Sequence, residues 1–144
     1  METSDNKPLF VIDNDPVVPW PVIVKLPQAG GTFGEFQFEA NIRVLSPGEY
    51  EAMFKAPADK NGVSPMSEVV EENVPLFQRL ITGWDGVKDR AGNAVPFTPE
   101  KLAEQVTGPY GPALSAGLWR AINEVRFGAR MPDGTVKDGA ALGN

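Results

Sequence analysis

The sequence offers few side chains for catalysis, because its 144 residues include neither histidine nor cysteine. Histidine is the commonest general base and metal-binding residue, and cysteine supplies thiolate nucleophiles, zinc ligands and disulfides. Serine–histidine–aspartate hydrolysis and histidine-based metal sites are therefore excluded. Catalysis by carboxylates, lysine or tyrosine stays open, but the acidic residues are scattered among predicted turns and solvated faces. We expect a protein that is not an enzyme and holds no cofactor.

Three kinds of short motif resemble reactive or ligand-binding sequences, and each lacks a necessary part. Residues 113–117 (Ala-Leu-Ser-Ala-Gly) are similar to a nucleophile elbow, but the first glycine is replaced and no histidine could activate Ser115. The aspartate-rich segments that begin at Asp13 and Asp85 place Val17 and Val87 where a calcium loop needs oxygen ligands. The glycines of residues 30–34 lack the lysine and hydroxyl ending of a phosphate loop. We interpret these motifs as turns and a helix face.

The charge and hydropathy patterns argue against nucleic acids and membranes as partners. A net charge of −6 arises from 19 acidic and 13 basic residues, with no run of lysine and arginine. The longest apolar stretch, residues 17–24, contains two prolines and is far shorter than the roughly 20 residues of a membrane-spanning helix. The polar, acidic first residues do not follow the order of a signal peptide. We therefore expect a soluble cytosolic protein.

Two charged clusters and two tryptophans are candidates for partner binding. Glu68, Glu71 and Glu72 are interpreted as a solvated helix face, with a docking patch as the alternative. The last predicted helix is locally basic, which either complements the helix dipole or contacts an acidic partner. Trp119 lies about 100° from the centre of that helix's apolar stripe, and exposed tryptophan is a frequent interface anchor. Trp84, by contrast, is expected to fill the end of a small core. The candidate partner-binding residues are Trp119, Arg120, Arg126 and Arg130.

Apolar periodicity predicts an α+β fold, in which an N-terminal antiparallel β-hairpin packs against a C-terminal set of short helices. Residues 20–26 alternate as a strand, and Pro19 and Pro21 place it at a sheet edge, since proline cannot donate to a ladder. Residues 36–44 alternate almost without a break, which indicates a strand with one solvated face. The domain organisation is an arm at 1–15, one domain at 16–128 with a β-rich half (16–56) and a helical half (64–128), and a flexible tail at 129–144.

Helix starts are marked by a hydroxyl residue followed by proline at Ser46, Ser64 and Thr98. Glu49 completes a capping box with Ser46, and the first helix is expected to end near residue 56. Pro75 is expected to break the second helix near residue 73, with a new helix from Pro75 to about residue 82 and a turn after it. The last helix is predicted to span residues 113–127 and to stop at Gly128.

The segment from residue 81 to residue 102 resembles a region of the tail assembly chaperones of long-tailed bacteriophages. Its sequence reads ITGWDGVKD, then a glycine, then VPFTPE and a leucine. The order of elements along residues 17–129 is similar as well, although the proline- and glycine-rich stretch 107–112 departs from the family pattern. The motif residues, which we interpret as structural, are Gly83, Trp84, Gly86, Val87, Asp89, Gly92 and Phe97.

The resemblance implies a non-catalytic chaperone. Such proteins bind the long, largely helical tape-measure protein in the host bacterial cytoplasm, keep it soluble until tail-tube subunits replace them, and are absent from the mature virion. The implied partners are thus the tape-measure protein and possibly the tail-tube protein, and the edge strand leaves room for self-association. We expect the helical half to bind the client near Trp119. The alternatives are a structural minor tail or connector protein and a small carboxylate-dependent enzyme or ligand binder.

Overall fold

A computed structural model describes residues 8–54 and 66–128. The predicted loop at 57–62, the helix start at Ser64, the side chain of Glu68 and the tail at 129–144 lie outside the described residues. The described fold is α+β, with an N-terminal hairpin and C-terminal helices, which confirms the predicted class. The strands are β1 (Val17–Gln28), β2 (Thr32–Arg43) and β3 (Ile81–Asp85); the helices are α1 (Pro47–Phe54), α2 (Met66–Leu80), α3 (Pro99–Val106) and α4 (Gly111–Phe127).

The sheet has the order β1-β2-β3, and both pairings are antiparallel. The β1–β2 register is unbroken from Val17 opposite Arg43 to Gln28 opposite Thr32. Gly30 and Gly31 close the hairpin at φ angles of +87° and +78°, which only glycine adopts at little cost. The predicted hairpin is confirmed, and both strands extend further towards its tip than their apolar alternation indicated.

The prolines of β1 all face the free edge of the sheet. The Val44 N–H donates to the Pro16 carbonyl at 2.9 Å, so even-numbered positions of β1 form the hydrogen-bonded pairs with β2. Odd-numbered positions therefore direct their backbone groups outward, and Pro19, Pro21 and Pro27 lack an N–H only where no ladder bond is made. The prediction that β1 lies at an edge is confirmed.

The core lies between one face of the sheet and the helices. Val22, Ala40 and Ile42 are fully buried on that face, where α4 packs on β1 and α2 approaches β2 and β3. Gly117 allows this close approach, because a Cβ built there would stand 2.5 Å from the Ile23 carbonyl oxygen. α2 and α3 pack on α4, and the buried apolar side chains of these three helices include Phe77, Leu80, Leu102, Val106, Leu118, Ala121 and Ile122.

The helix signals at Ser46, Thr98 and Gly128 are confirmed. Ser46 and Glu49 form both bonds of a capping box, with N–O distances of 3.0 and 3.2 Å. The Thr98 hydroxyl accepts from the Lys101 N–H at 2.9 Å at the start of α3. α4 ends at Phe127, and Gly128 follows at a φ of +65°.

Two predictions around α2 are wrong. The helix does not break near residue 73 but continues through Pro75 to Leu80, because Pro75 and Glu71 both lie on its exposed side, where water can satisfy the carbonyl that proline leaves unpaired. The expected helix to residue 82 and the turn after it are replaced by β3. Gly83 lies opposite Asn41 in β2, so the edge of the sheet draws this segment into a strand that its own sequence does not indicate.

Candidate functional site

An open apolar groove of about 220 Å³ lies between the sheet and the start of α4. Its walls are the helix-facing side chains near the hairpin tip, the end of β3 and the segment that leads into α4. It is lined mainly by Val24, Leu26, Phe36, Phe38, Trp84, Val87, Tyr110 and Leu114. We call these residues the apolar groove.

The groove exists because the hairpin is longer than the helix layer that covers it. α4 begins only at Gly111, which packs against the Val106 carbonyl at the end of α3, where a side chain would overlap that carbonyl. Phe36, on the helix-facing side of β2, therefore remains 46% exposed. Tyr110, which immediately precedes α4, remains 55% exposed. Exposed aromatic side chains beside a concave apolar surface are typical of protein-binding sites.

Trp84 forms one wall of the groove and is half-buried. Its Nε1–H donates to the Val95 carbonyl at 2.7 Å. Its ring meets Phe97 edge-on at 5.0 Å and Phe38 at 6.2 Å between ring centroids. The structure thus brings together Trp84 and Phe97, two of the motif residues, at the end of the core.

The other motif residues shape the chain beside this wall. Gly86, at a φ of +86°, turns the chain away from β2 close to Phe38. The Val87 carbonyl then accepts from the Val95 N–H at 2.9 Å, and Asp89 Oδ1 accepts from the backbone N–H groups of residues 91 and 93, both at 2.9 Å. Gly92 completes this turn at a φ of +89°. Each of these residues has a backbone or packing role, including Asp89, whose carboxylate binds main-chain amides.

The three predicted partner-binding residues that the structure describes do not lie on one side of α4. Trp119 is half-buried, with its ring 5.0 Å from that of Phe77. Arg126 lies on the same side of α4, and its guanidinium stands 4.9 Å from the ring centre of Tyr50. Arg120 is rotated away from both and forms an ion pair with Glu124. Arg130 lies outside the described residues.

The sequence did not predict a buried hydrogen bond between a side chain of β1 and one of α4. Glu124 is only 9% exposed, and its Oε1 accepts from Trp20 Nε1 at 2.8 Å. A carboxylate among the apolar residues Ala121, Ile122 and Val125 was the signal that could have indicated it, because buried acids require partners.

The residues considered for catalysis and metal binding lie in ordinary structural positions. Ser115 is buried inside α4, and its Oγ has no hydrogen-bond partner in the structure. Glu71 and Glu72 are exposed on α2. Within residues 8–54 and 66–128, acidic side chains do not gather into a group that could hold a metal ion.

In the part of the chain that the structure describes, the helices are too short or too polar to cross a lipid bilayer.

Comparison with known proteins identifies no relative. No protein-family model, no curated protein and no solved structure matches the chain.

Proposed function

We propose that this protein is a phage tail assembly chaperone that holds the tape-measure protein through the apolar groove. The sequence resemblance of residues 81–102 to such chaperones supports the class of function. The groove supports the mode of binding, because a long helical client exposes apolar stripes that need cover until assembly. The client is held in the host cytoplasm, and the chaperone leaves before the virion is complete.

The observation that carries the proposal is the aromatic lining of the groove. Phe36 and Tyr110 line it and are partly exposed, and Leu26 and Leu114 line it and are half-buried. An amphipathic helix binds such a groove by inserting side chains from one face at spacings of three and four residues. The groove offers no charged side chain among its lining residues, which suits an apolar stripe.

Co-expression with the tape-measure protein tests this docking mode. Phe36→Glu places a charge at the groove and should raise the dissociation constant for the client at least about tenfold, a loss of about 1.4 kcal/mol in binding, so that less soluble client is captured. Phe33→Glu is the matched control, because Phe33 lies on the same strand, is 70% exposed and points to the other side of the sheet. Equal capture by the two folded variants would rule out the groove.

The surface around Trp119 and Arg126 is a second docking hypothesis, and Arg126 lines a separate depression with Tyr50 and Leu45. Arg126→Glu reverses its charge without opening a cavity in the core, unlike truncation of Trp119. If this variant loses the client while Phe36→Glu retains it, the binding surface is at the C-terminal end of α4.

Mass spectrometry of purified virions tests the class of function. A chaperone should be missing from virions while it is abundant in lysates of infected cells. Its presence at a fixed number of copies per virion would instead identify a structural minor tail or connector protein.

A further inference from the structure

The β2 strand has an open edge near the hairpin tip. Because its even-numbered residues bond to β1, its odd-numbered residues direct their backbone groups towards β3. β3 pairs only with residues 39–42 of β2, and Gly86 then turns the chain away. Within the described residues, no strand pairs with Phe33, Glu35 or Gln37 on that side. We call their three outward N–H and C=O pairs the open edge.

The two edges of the hairpin differ in their protection. On β1, three of the six outward-facing positions are proline, which removes half of the donors that another strand would need. The open edge of β2 contains no proline and keeps all its donors and acceptors. The β1 edge is thus partly protected against strand addition, whereas the open edge of β2 is available for it.

The N-terminal arm supplies a strand of matching character. Residues 9–12 (Leu-Phe-Val-Ile) are apolar, belong to no helix or strand of the described chain, and have exposed fractions between 75% and 92%. An Asx turn follows, in which the Asp15 N–H donates to Asp13 Oδ1 at 3.0 Å. Asp15 also pairs with Arg43 at 2.9 Å, which ties the root of the arm to the end of the sheet away from the hairpin tip.

The arm cannot reach the open edge of its own chain. Pro16 lies opposite Val44, and Gln37, the nearest residue of the open edge, is seven positions further along β2, about 23 Å away. Ile12 is four residues before Pro16, and four extended residues span at most about 14 Å. Residues 9–12 therefore fall short of a parallel course along residues 33–37, so the strand that fits must come from another copy.

We propose that residues 9–12 of one copy add as a strand to the open edge of a second copy, and that the exchange is reciprocal. Backbone hydrogen bonds to Phe33, Glu35 and Gln37 hold the arm in place. Alternate side chains of the added strand lie beside Phe36 at the rim of the apolar groove, because successive strand residues point to opposite faces of a sheet. Two of the four exposed apolar side chains and the unpaired edge are covered together. This inference concerns the protein alone and does not depend on the proposed client.

Sedimentation velocity over a range of concentrations tests the contact. Glu35→Pro removes an outward N–H from the open edge and should raise the dimer dissociation constant at least about tenfold. Lys25→Pro is a closely matched control, because Lys25 lies directly opposite Glu35. This substitution removes an outward N–H from the β1 edge instead. Both variants also lose the same Lys25–Glu35 ion pair. The dissociation constant of Lys25→Pro should stay within about twofold of the wild-type value.

A second variant tests the arm without altering the folded domain. Phe10→Asp combined with Ile12→Asp changes only exposed side chains and should abolish self-association. Mixing this arm variant with Glu35→Pro should restore a 1:1 complex, because the intact arm of one chain can still bind the intact edge of the other. A monomeric wild type at its highest soluble concentration, dimers that survive the arm changes, or a mixture that stays monomeric would each overturn the proposal.

Discussion

The indole Nε1–H of Trp20 donates a 2.8 Å hydrogen bond to Glu124 Oε1, although 104 residues separate the two in sequence. Trp20 lies on β1 and Glu124 near the end of α4, so the bond joins the first strand to the last helix. Arg120 stands 3.7 Å from the other carboxylate oxygen. A buried carboxylate that is both hydrogen-bonded and paired specifies where α4 rests on the sheet.

Trp20→Phe should lower the free energy of unfolding by about 1.5–3 kcal/mol, because it keeps an aromatic ring but removes a hydrogen bond to a charged group. Urea denaturation measures the loss. Trp84→Phe is the control, since Trp84 donates to the neutral Val95 carbonyl and its loss should cost only about 0.5–1.5 kcal/mol. A Trp20→Phe variant as stable as the wild type would contradict the assigned role.

Gly117→Ala should destabilise the protein by about 1–3 kcal/mol, because the new methyl group forces α4 away from the Ile23 carbonyl. Gly48→Ala in α1 is the matched control: open space surrounds that position, so the substitution should be neutral or stabilising by up to about 1 kcal/mol. Thermal unfolding of the two variants gives the comparison. Equal stabilities would show that α4 does not approach β1 this closely.

Ser115→Ala should raise the free energy of unfolding by about 1 kcal/mol, since it removes a buried hydroxyl without a hydrogen-bond partner and increases helix propensity. Ala116→Ser, at the exposed neighbouring position, should lower stability by no more than about 0.5 kcal/mol. Chemical denaturation of both variants checks the pair. A loss of stability in Ser115→Ala would mean that the hydroxyl is hydrogen-bonded in solution.

The capping box of α1 should make the stability of this helix depend on pH. The Ser46 backbone N–H, followed by the Ser46 hydroxyl, lowers the pKa of the Glu49 carboxyl from its ordinary value of 4.5, with Arg79 adding to the effect. A lowered folded-state pKa stabilises the helix above pH 4.5, and this contribution is lost as the pH falls through the lower folded pKa. An NMR titration of the Glu49 side chain measures that pKa.

Glu49→Gln removes this ionisation and serves as its control. The variant keeps an oxygen that can accept from the Ser46 N–H, but the pH dependence of the amide signal of Ser46 over the same range should disappear. An unchanged titration of that amide in Glu49→Gln would assign the effect to another group.

Local chemistry along the chain was enough to predict much of the fold. Ser46, Thr98 and Gly128 mark helix ends because capping depends on residues within one turn. The alternation of β2 predicts its buried face, since side chains of a strand repeat every two residues. Pro19 and Pro21 predict an edge because proline has no N–H to donate.

Features made by distant segments depended on the tertiary structure. β3 forms because β2 provides an edge at Asn41, and α2 passes through Pro75 because the proline falls on its exposed side. The apolar groove exists because the hairpin extends beyond the start of α4. It depends on the lengths of both the hairpin and the helix, so neither segment predicts it by itself. Residue types and short spacings therefore determined the hairpin strands and the helix ends, but not β3 or the course of α2 through Pro75. Packing, which satisfies buried backbone and apolar groups across the whole chain, decided which surfaces remain open for partners.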